Sequence, residues 1–290
     1  AFHNNTNLGL DEIFCFGELA LNGEIKDTNS IFPIVLSLVK QGFLKKILVC
    51  EESAKKLSII PNLEIYCVKN LNNAMEFIKS SQKENYLFKN IKLEFEELNI
   101  NGQTYYYDSN YKEDFKDVVG QDMAKYAAMI CAAGNHNLIL EGSPGCGKSM
   151  ISKRLKYILP PMSLEEILEK AKLQALDFKE VDFRPIRAFR SPHHSSTKSS
   201  IFGGGSSLAK MGEIALSNNG ILFFDELPHF SKSVLEALRE PLEDNKILIS
   251  RVNSKVLYET KFIFIGAMNP CPCGNLLSSV KECRCNELEI

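Results

Sequence analysis

Gly142-Ser143-Pro144-Gly145-Cys146-Gly147-Lys148-Ser149 is a complete G-x-x-x-x-G-K-[ST] stretch, set between the apolar run NLILE and the helical run KSMISKRLKYIL. A strand, a glycine loop and a helix in that order make a cradle for phosphate. The glycines let backbone N–H groups turn toward phosphate oxygens, and the start of the helix adds its dipole. Lys148 is expected to reach the β- and γ-phosphates and Ser149 to hold Mg²⁺, with Gly142 to Gly147 and Met150 completing the nucleotide contact. The fold expected around this loop is α/β, with a parallel sheet.

Downstream, Ile221-Leu222-Phe223-Phe224-Asp225-Glu226 puts four apolar residues before two carboxylates. That is a Walker B pattern: Asp225 is expected to coordinate the hydrated Mg²⁺ and Glu226 to polarise the attacking water. A third buried run, Phe262 to Met268, ends at Asn269. Its amide could hold the water in line, or merely form the turn before Pro270. Upstream of the loop, Val118-Val119-Gly120-Gln121 is positioned to line a base pocket, with Val119, Gly120 and Gln121 the candidate contacts.

The N-terminal part has a different texture. IFCFGELAL and KKILVC read as short strands around a helix IFPIVLSLVKQG that stops at Gly42, and EESAKKL, LEIYCVKN and LNNAMEFIKS continue the alternation. The expected organisation is a small α/β domain over 1–80, a linker with a hairpin at Asn101-Gly102 over 81–112, and the nucleotide-binding core over 113–290.

With 44% hydrophobic and 24% charged residues among 290, the chain can build cores and is not a disordered type. No run approaches the roughly 20 apolar residues of a membrane span and the polar start is no signal peptide, so a cytoplasmic, membrane-free protein is expected. A net charge of -2 shows no global field for nucleic acid, so any such contact must be local. One candidate is the stretch from Arg184 to Lys210, which has Arg187, Arg190 and Lys198, two histidines and no acidic residue. It could track a phosphate backbone or be a solvated loop. Another is the hairpin from Lys246 to Tyr258, with Arg251 and Lys255 near its turn. Four of the nine cysteines, Cys271, Cys273, Cys283 and Cys285, form two C-x-C pairs that could hold one Zn²⁺ or remain free thiols.

Together these motifs resemble the AAA+ ATPases, and more closely the magnesium-chelatase-like ComM/YifB family. FRPIRAFRSPHHSS, GGGSSLAKMGEIALSNNGILFFDELPHF, VLEALREPLED, ISRVNSKVLY and AMNPCPCG carry the likeness over residues 113 to 290. The resemblance implies a P-loop AAA+ domain that binds ATP and Mg²⁺ between subunits of a homo-hexamer. The activity it implies is DNA branch migration on branched or single-stranded DNA in natural transformation and recombination. A different reading within the same superfamily is a chelatase-type ATPase that remodels a protein partner during metal insertion.

In the family, the Arg184 to Lys210 stretch is an insertion toward the pore and the 246–258 segment a hairpin pushed into the DNA channel. The N-terminal unit, through GELALNGEI and KKILVCEES, is similar to part of a Lon-protease-like domain. Its helix start, Ser30-Ile31-Phe32-Pro33, lacks the lysine of the peptidase dyad, so proteolysis is not implied. The likeness further implies that the chain is a fragment whose trans-acting arginine lies beyond Ile290.

Overall fold

The computed structural model describes residues 12–89, 93–111, 113–204, 211–250, 255–277 and 281–286. It divides into two compact units, one of residues 1–94 with 171–183 and the other of 95–170 with 184–290. Residues 81–94 go with the first unit and the hairpin with the second, so the boundary falls inside the segment 81–112. The return of 171–183 to the first unit is a further difference from contiguous domains.

In the first unit the elements are β1 (Ile13–Cys15), β2 (Glu18–Leu19), β3 (Ile25–Lys26), α1 (Ile31–Lys40), β4 (Lys46–Val49), α2 (Glu51–Leu57), β5 (Glu64–Cys67) and α3 (Leu71–Lys79). β1, β4 and β5 form a parallel sheet in that order, as βαβ connections require. The end of α1 shows how local chemistry sets an element's length. Gly42 adopts φ +76, which lets Gly42 N–H reach the Val39 carbonyl at 2.9 Å and Phe43 N–H the Leu38 carbonyl at 3.0 Å. This left-handed stop satisfies carbonyls that the helix leaves open.

The second unit runs through β6 (Glu96–Ile100), β7 (Gln103–Tyr107), α4 (Asp122–Gly134), β8 (Leu138–Glu141), α5 (Lys148–Leu155), β9 (Met162–Ser163), α6 (Leu164–Leu176), β10 (Phe189–Arg190), α7 (Lys198–Phe202), α8 (Glu213–Leu216), β11 (Ile221–Phe224), α9 (Lys232–Ala237), α10 (Arg239–Asp244), β12 (Lys246–Ser250), β13 (Lys255–Glu259) and β14 (Ile263–Met268). The last turns of α6 belong to the first unit. Four strands make a wholly parallel sheet in the order β10-β11-β14-β8.

Alternation on β11 explains why it lies inside. Ile221 and Phe223 join a cluster with Leu140, Ile151, Leu155 and Ile265, whereas Leu222 and Phe224 face a second cluster with Ile201, Phe230 and Val234. A strand covered on both faces needs an uninterrupted apolar run, and ILFF supplies it. Each such side chain contributes about 1.5–3 kcal/mol on burial.

Candidate phosphate-binding site

The sheet order determines the site. The phosphate loop follows β8, the paired carboxylates follow β11, and β14 lies between those two strands, so Asn269 emerges between loop and carboxylates. Gly145 and Gly147 take φ values of +79 and +92 with open space where a Cβ would stand, so backbone conformation rather than crowding demands glycine there. Gly147 leads into α5, whose first residue is Lys148.

The Lys148 amine donates to the Gly142 carbonyl at 2.6 Å, the Ser143 carbonyl at 3.1 Å and Asn269 Oδ1 at 3.2 Å. Cys146 Sγ lies 3.8 Å from the same amine. Ser149 Oγ donates to Asp225 Oδ2 at 2.8 Å, so the hydroxyl and carboxylate expected to share Mg²⁺ are already neighbours. Pro144 sits at the loop's crest against Gly274, and Met150 packs on the core beneath. In the segment before α4, Val118 is buried while Val119 is 93% exposed. Gly120 and Gln121 both have positive φ, which turns the chain sharply into the helix.

Glu226 also has a positive φ, +54, a conformation that costs a non-glycine residue energy and that clusters at functional sites. Its Oε2 lies 3.2 Å from His194 Nδ1 and 3.3 Å from His229 Nδ1. Neither imidazole belongs to a nucleotide-binding motif. Pro192-His193-His194 falls within the basic stretch, and His229 stands three residues after Glu226.

Two of the arginines expected at a DNA surface are ion-paired within the chain. The Arg187 guanidinium pairs with Glu166 at 2.8 Å and donates to the Pro160 carbonyl at 3.0 Å and the Asn219 carbonyl at 2.8 Å. Glu166 in turn caps α6 by accepting from the Ser163 N–H at 2.9 Å. Arg190 makes a two-pronged pair with Glu213, at 2.5 and 2.8 Å. Both arginines thus have partners within the fold. Lys198 is exposed at the start of α7, its amine 5.9 Å from the centre of the Phe202 ring. Lys255 lies at the start of β13, where it pairs in register with Ser250. Arg251 is outside the described residues.

The four C-terminal cysteines do converge, their sulfur atoms all within 4.8 Å of one another. Sγ–Sγ separations are 3.4 Å for Cys271 and Cys273, 3.6 Å for Cys273 and Cys283, and 3.7 Å for Cys271 and Cys283, and the Cys273 N–H reaches Cys285 Sγ at 3.4 Å. About 3.8 Å separates neighbouring sulfurs around a tetrahedral ion with Zn–S bonds of ~2.3 Å. Backbone hydrogen bonds from Arg284 and Asn275, then the neighbouring thiols, hold Cys273 down to about 6. The donor set and spacing fit Zn²⁺.

Among the described residues no helix is long and apolar enough to cross a membrane. A parallel sheet bearing a phosphate loop, paired carboxylates and a polar amide on the strand between them defines a P-loop protein of the AAA+ type. The chain belongs to the magnesium chelatase family: residues 114–290 match the family described as magnesium chelatase, subunit ChlI. It is an ATPase-family protein, and its phosphate loop and Ser149–Asp225 pair fit ATP and Mg²⁺.

Competence protein ComM of Haemophilus influenzae is 36% identical over 260 residues, which is 89% of this chain and 49% of the relative. The uncharacterized protein YifB of Salmonella typhimurium is 36% identical over 270 residues, 92% of this chain and 50% of its own. A weaker likeness, 24% over 146 residues, covers 47% of this chain and 26% of Lon protease 2 of Bacillus subtilis. The chain spans about half the length of the two stronger relatives.

Proposed function

We propose that the protein is an ATP-dependent DNA motor that works as a homo-hexamer on branched or single-stranded DNA, in recombination and natural transformation. The observation that carries this reading is the convergence of Lys148, Asn269, Ser149 and Asp225 from three strands, in a chain similar to a competence protein. Lys148 neutralises phosphate charge, Ser149 and Asp225 hold Mg²⁺, Glu226 polarises water, and Asn269 holds that water in line. Lys198 on α7, Lys255 at the start of β13, and Arg251 are the DNA contacts in this reading, with Arg187 and Arg190 contributing if their ion pairs open. Cys271, Cys273, Cys283 and Cys285 hold one structural Zn²⁺.

The test is ATP turnover with and without forked DNA, alongside fluorescence anisotropy of the same DNA and light scattering with a slowly hydrolysed ATP analogue. Turnover stimulated by forked DNA and a ring-sized particle are the expected results. Absence of both binding and stimulation would overturn the motor assignment.

A second reading, remodelling of a protein partner in the manner of a chelatase subunit, is favoured by two observations. Glu166 and Glu213 pair with Arg187 and Arg190 of the basic stretch, and a cleft of about 570 Å³ beside Lys198 is edged by Glu236, Glu240 and Asp244 together with the ion pair of Arg239 and Glu243. Turnover that ignores DNA but responds to a protein partner would select it.

A further inference from the structure

Three contacts tie the cysteine segment to the phosphate loop. The Gly142 N–H donates to the Met268 carbonyl at 3.3 Å, Asn269 Oδ1 accepts from Lys148, and Gly274 closes on Pro144. The third is a steric lock: a Cβ on Gly274 would stand 2.5 Å from Pro144 Cδ and 2.8 Å from Pro144 Cγ, closer than atoms approach without something moving. Gly274 lies one residue after Cys273 and has φ +73, and its N–H donates to the Cys271 carbonyl at 2.9 Å. The turn that presents two of the four sulfurs is therefore the turn that presses on the phosphate loop.

We propose that a thiophilic divalent ion, Zn²⁺, bound by Cys271, Cys273, Cys283 and Cys285 braces the phosphate loop, so that metal occupancy and nucleotide affinity are coupled. This rests on the reading of the four cysteines as a zinc site. The physical argument concerns order. Among the described residues, sulfur contacts of 3.7 and 3.6 Å join Cys271 and Cys273 to Cys283, and four metal–thiolate bonds would replace them with a fixed crosslink. A fixed turn holds Gly274 against Pro144 and Asn269 against Lys148, so the loop's shape no longer has to be organised when phosphate arrives. Coupling of this kind is reciprocal: nucleotide must tighten zinc by the same factor as zinc tightens nucleotide.

The experiment uses the whole chain, zinc-loaded and chelator-stripped, with zinc measured by elemental analysis and affinity by titration of a fluorescent ADP analogue with Mg²⁺. Nucleotides chelate zinc themselves, so Cys283→Ser with Cys285→Ser serves as the reference in identical buffer. Expected are about one zinc per chain and nucleotide affinity lower in stripped protein by roughly fivefold or more, within the 5- to 150-fold range typical of coupled sites. Zinc re-addition should restore it, while the double serine variant stays weak. Gly274→Ala, which keeps all four thiols, should bind nucleotide weakly, and if stripping unfolds the chain the reciprocal measurement decides the matter: saturating ADP with Mg²⁺ should tighten zinc against a competing chelator by the same factor. Zinc-free protein would overturn the underlying metal reading. Zinc-containing protein whose nucleotide affinity ignores both stripping and Gly274→Ala would overturn the coupling alone.

Discussion

Asn269 Oδ1 accepts a hydrogen bond from the Lys148 amine at 3.2 Å, across 121 positions of sequence. The contact exists because β14 is inserted between β8 and β11, which brings the end of one strand beside a loop that follows another. Asn269→Ala should leave nucleotide affinity within a few-fold of the parent and lower turnover by about 10²-fold, the usual effect of removing one preorganised polar group. Steady-state hydrolysis and nucleotide titration on the same preparation check this. Unchanged turnover would reduce Asn269 to a turn former before Pro270.

Lys148→Ala and Glu226→Gln should fail in different ways. The lysine contacts ground-state phosphate, so its loss abolishes nucleotide binding. The glutamate acts on water, so its amide leaves binding intact and stops hydrolysis. Fluorescent-nucleotide titration and phosphate release on both variants separate the two roles. Parent-level turnover in Glu226→Gln would remove the glutamate from the chemistry.

Much of this site could be read from the sequence because each part is local. A glycine loop between a strand and a helix, or four apolar residues before two carboxylates, states its geometry within a few positions. The tight turn at Asn101 and Gly102, with φ of +51 and +81, is likewise local. What escaped depends on distant partners. The stretch from Arg184 to Lys210 has no acid of its own, but Glu166 and Glu213, 21 and 23 residues from their arginines, reach it through the fold. Of the imidazoles on Glu226, His194 lies before β11 and reaches the carboxylate through the fold, whereas His229 is local, three residues on, and carries no motif of its own. The assignment of 171–183 to the first unit follows from packing, such as the edge-on contact of Phe183 with Phe32 at 5.5 Å, and leaves no local mark.

Arg187 and Lys198 should therefore respond differently to alanine. Arg187→Ala strands the Glu166 carboxylate, which is about a quarter exposed, together with backbone carbonyls that the guanidinium now satisfies. A loss of roughly 2–3 kcal/mol is expected, below the value for a fully buried pair because solvent still reaches the carboxylate. The midpoint of denaturant unfolding measures it. Lys198→Ala should leave that midpoint within about 0.5 kcal/mol of the parent, since surface changes rarely do more. In the DNA-motor reading it should also flatten the salt dependence of DNA binding by roughly one unit. An Arg187→Ala protein of parental stability would return that arginine to the candidate DNA surface.

The histidines beside Glu226 lead to the last prediction. Glu226 begins in a left-handed backbone conformation, and its Oε2 has two imidazole nitrogens within 3.3 Å. Those rings restrict where the carboxylate can point, so removing them should spread it over several rotamers. They do not touch Lys148 or Ser149, so phosphate and Mg²⁺ contacts should persist. The double variant His194→Ala with His229→Ala is thus expected to keep nucleotide affinity and to lose turnover. The loss should be smaller than the roughly 10²- to 10⁴-fold cost of removing a proton-transfer group outright, because the carboxylate itself remains. Adding Glu226→Gln to the double variant supplies the control: if the rings act through Glu226, they have no further effect once it is an amide. A double variant with parental turnover, or one that slows the Glu226→Gln protein further, would show that the imidazoles serve something other than the carboxylate.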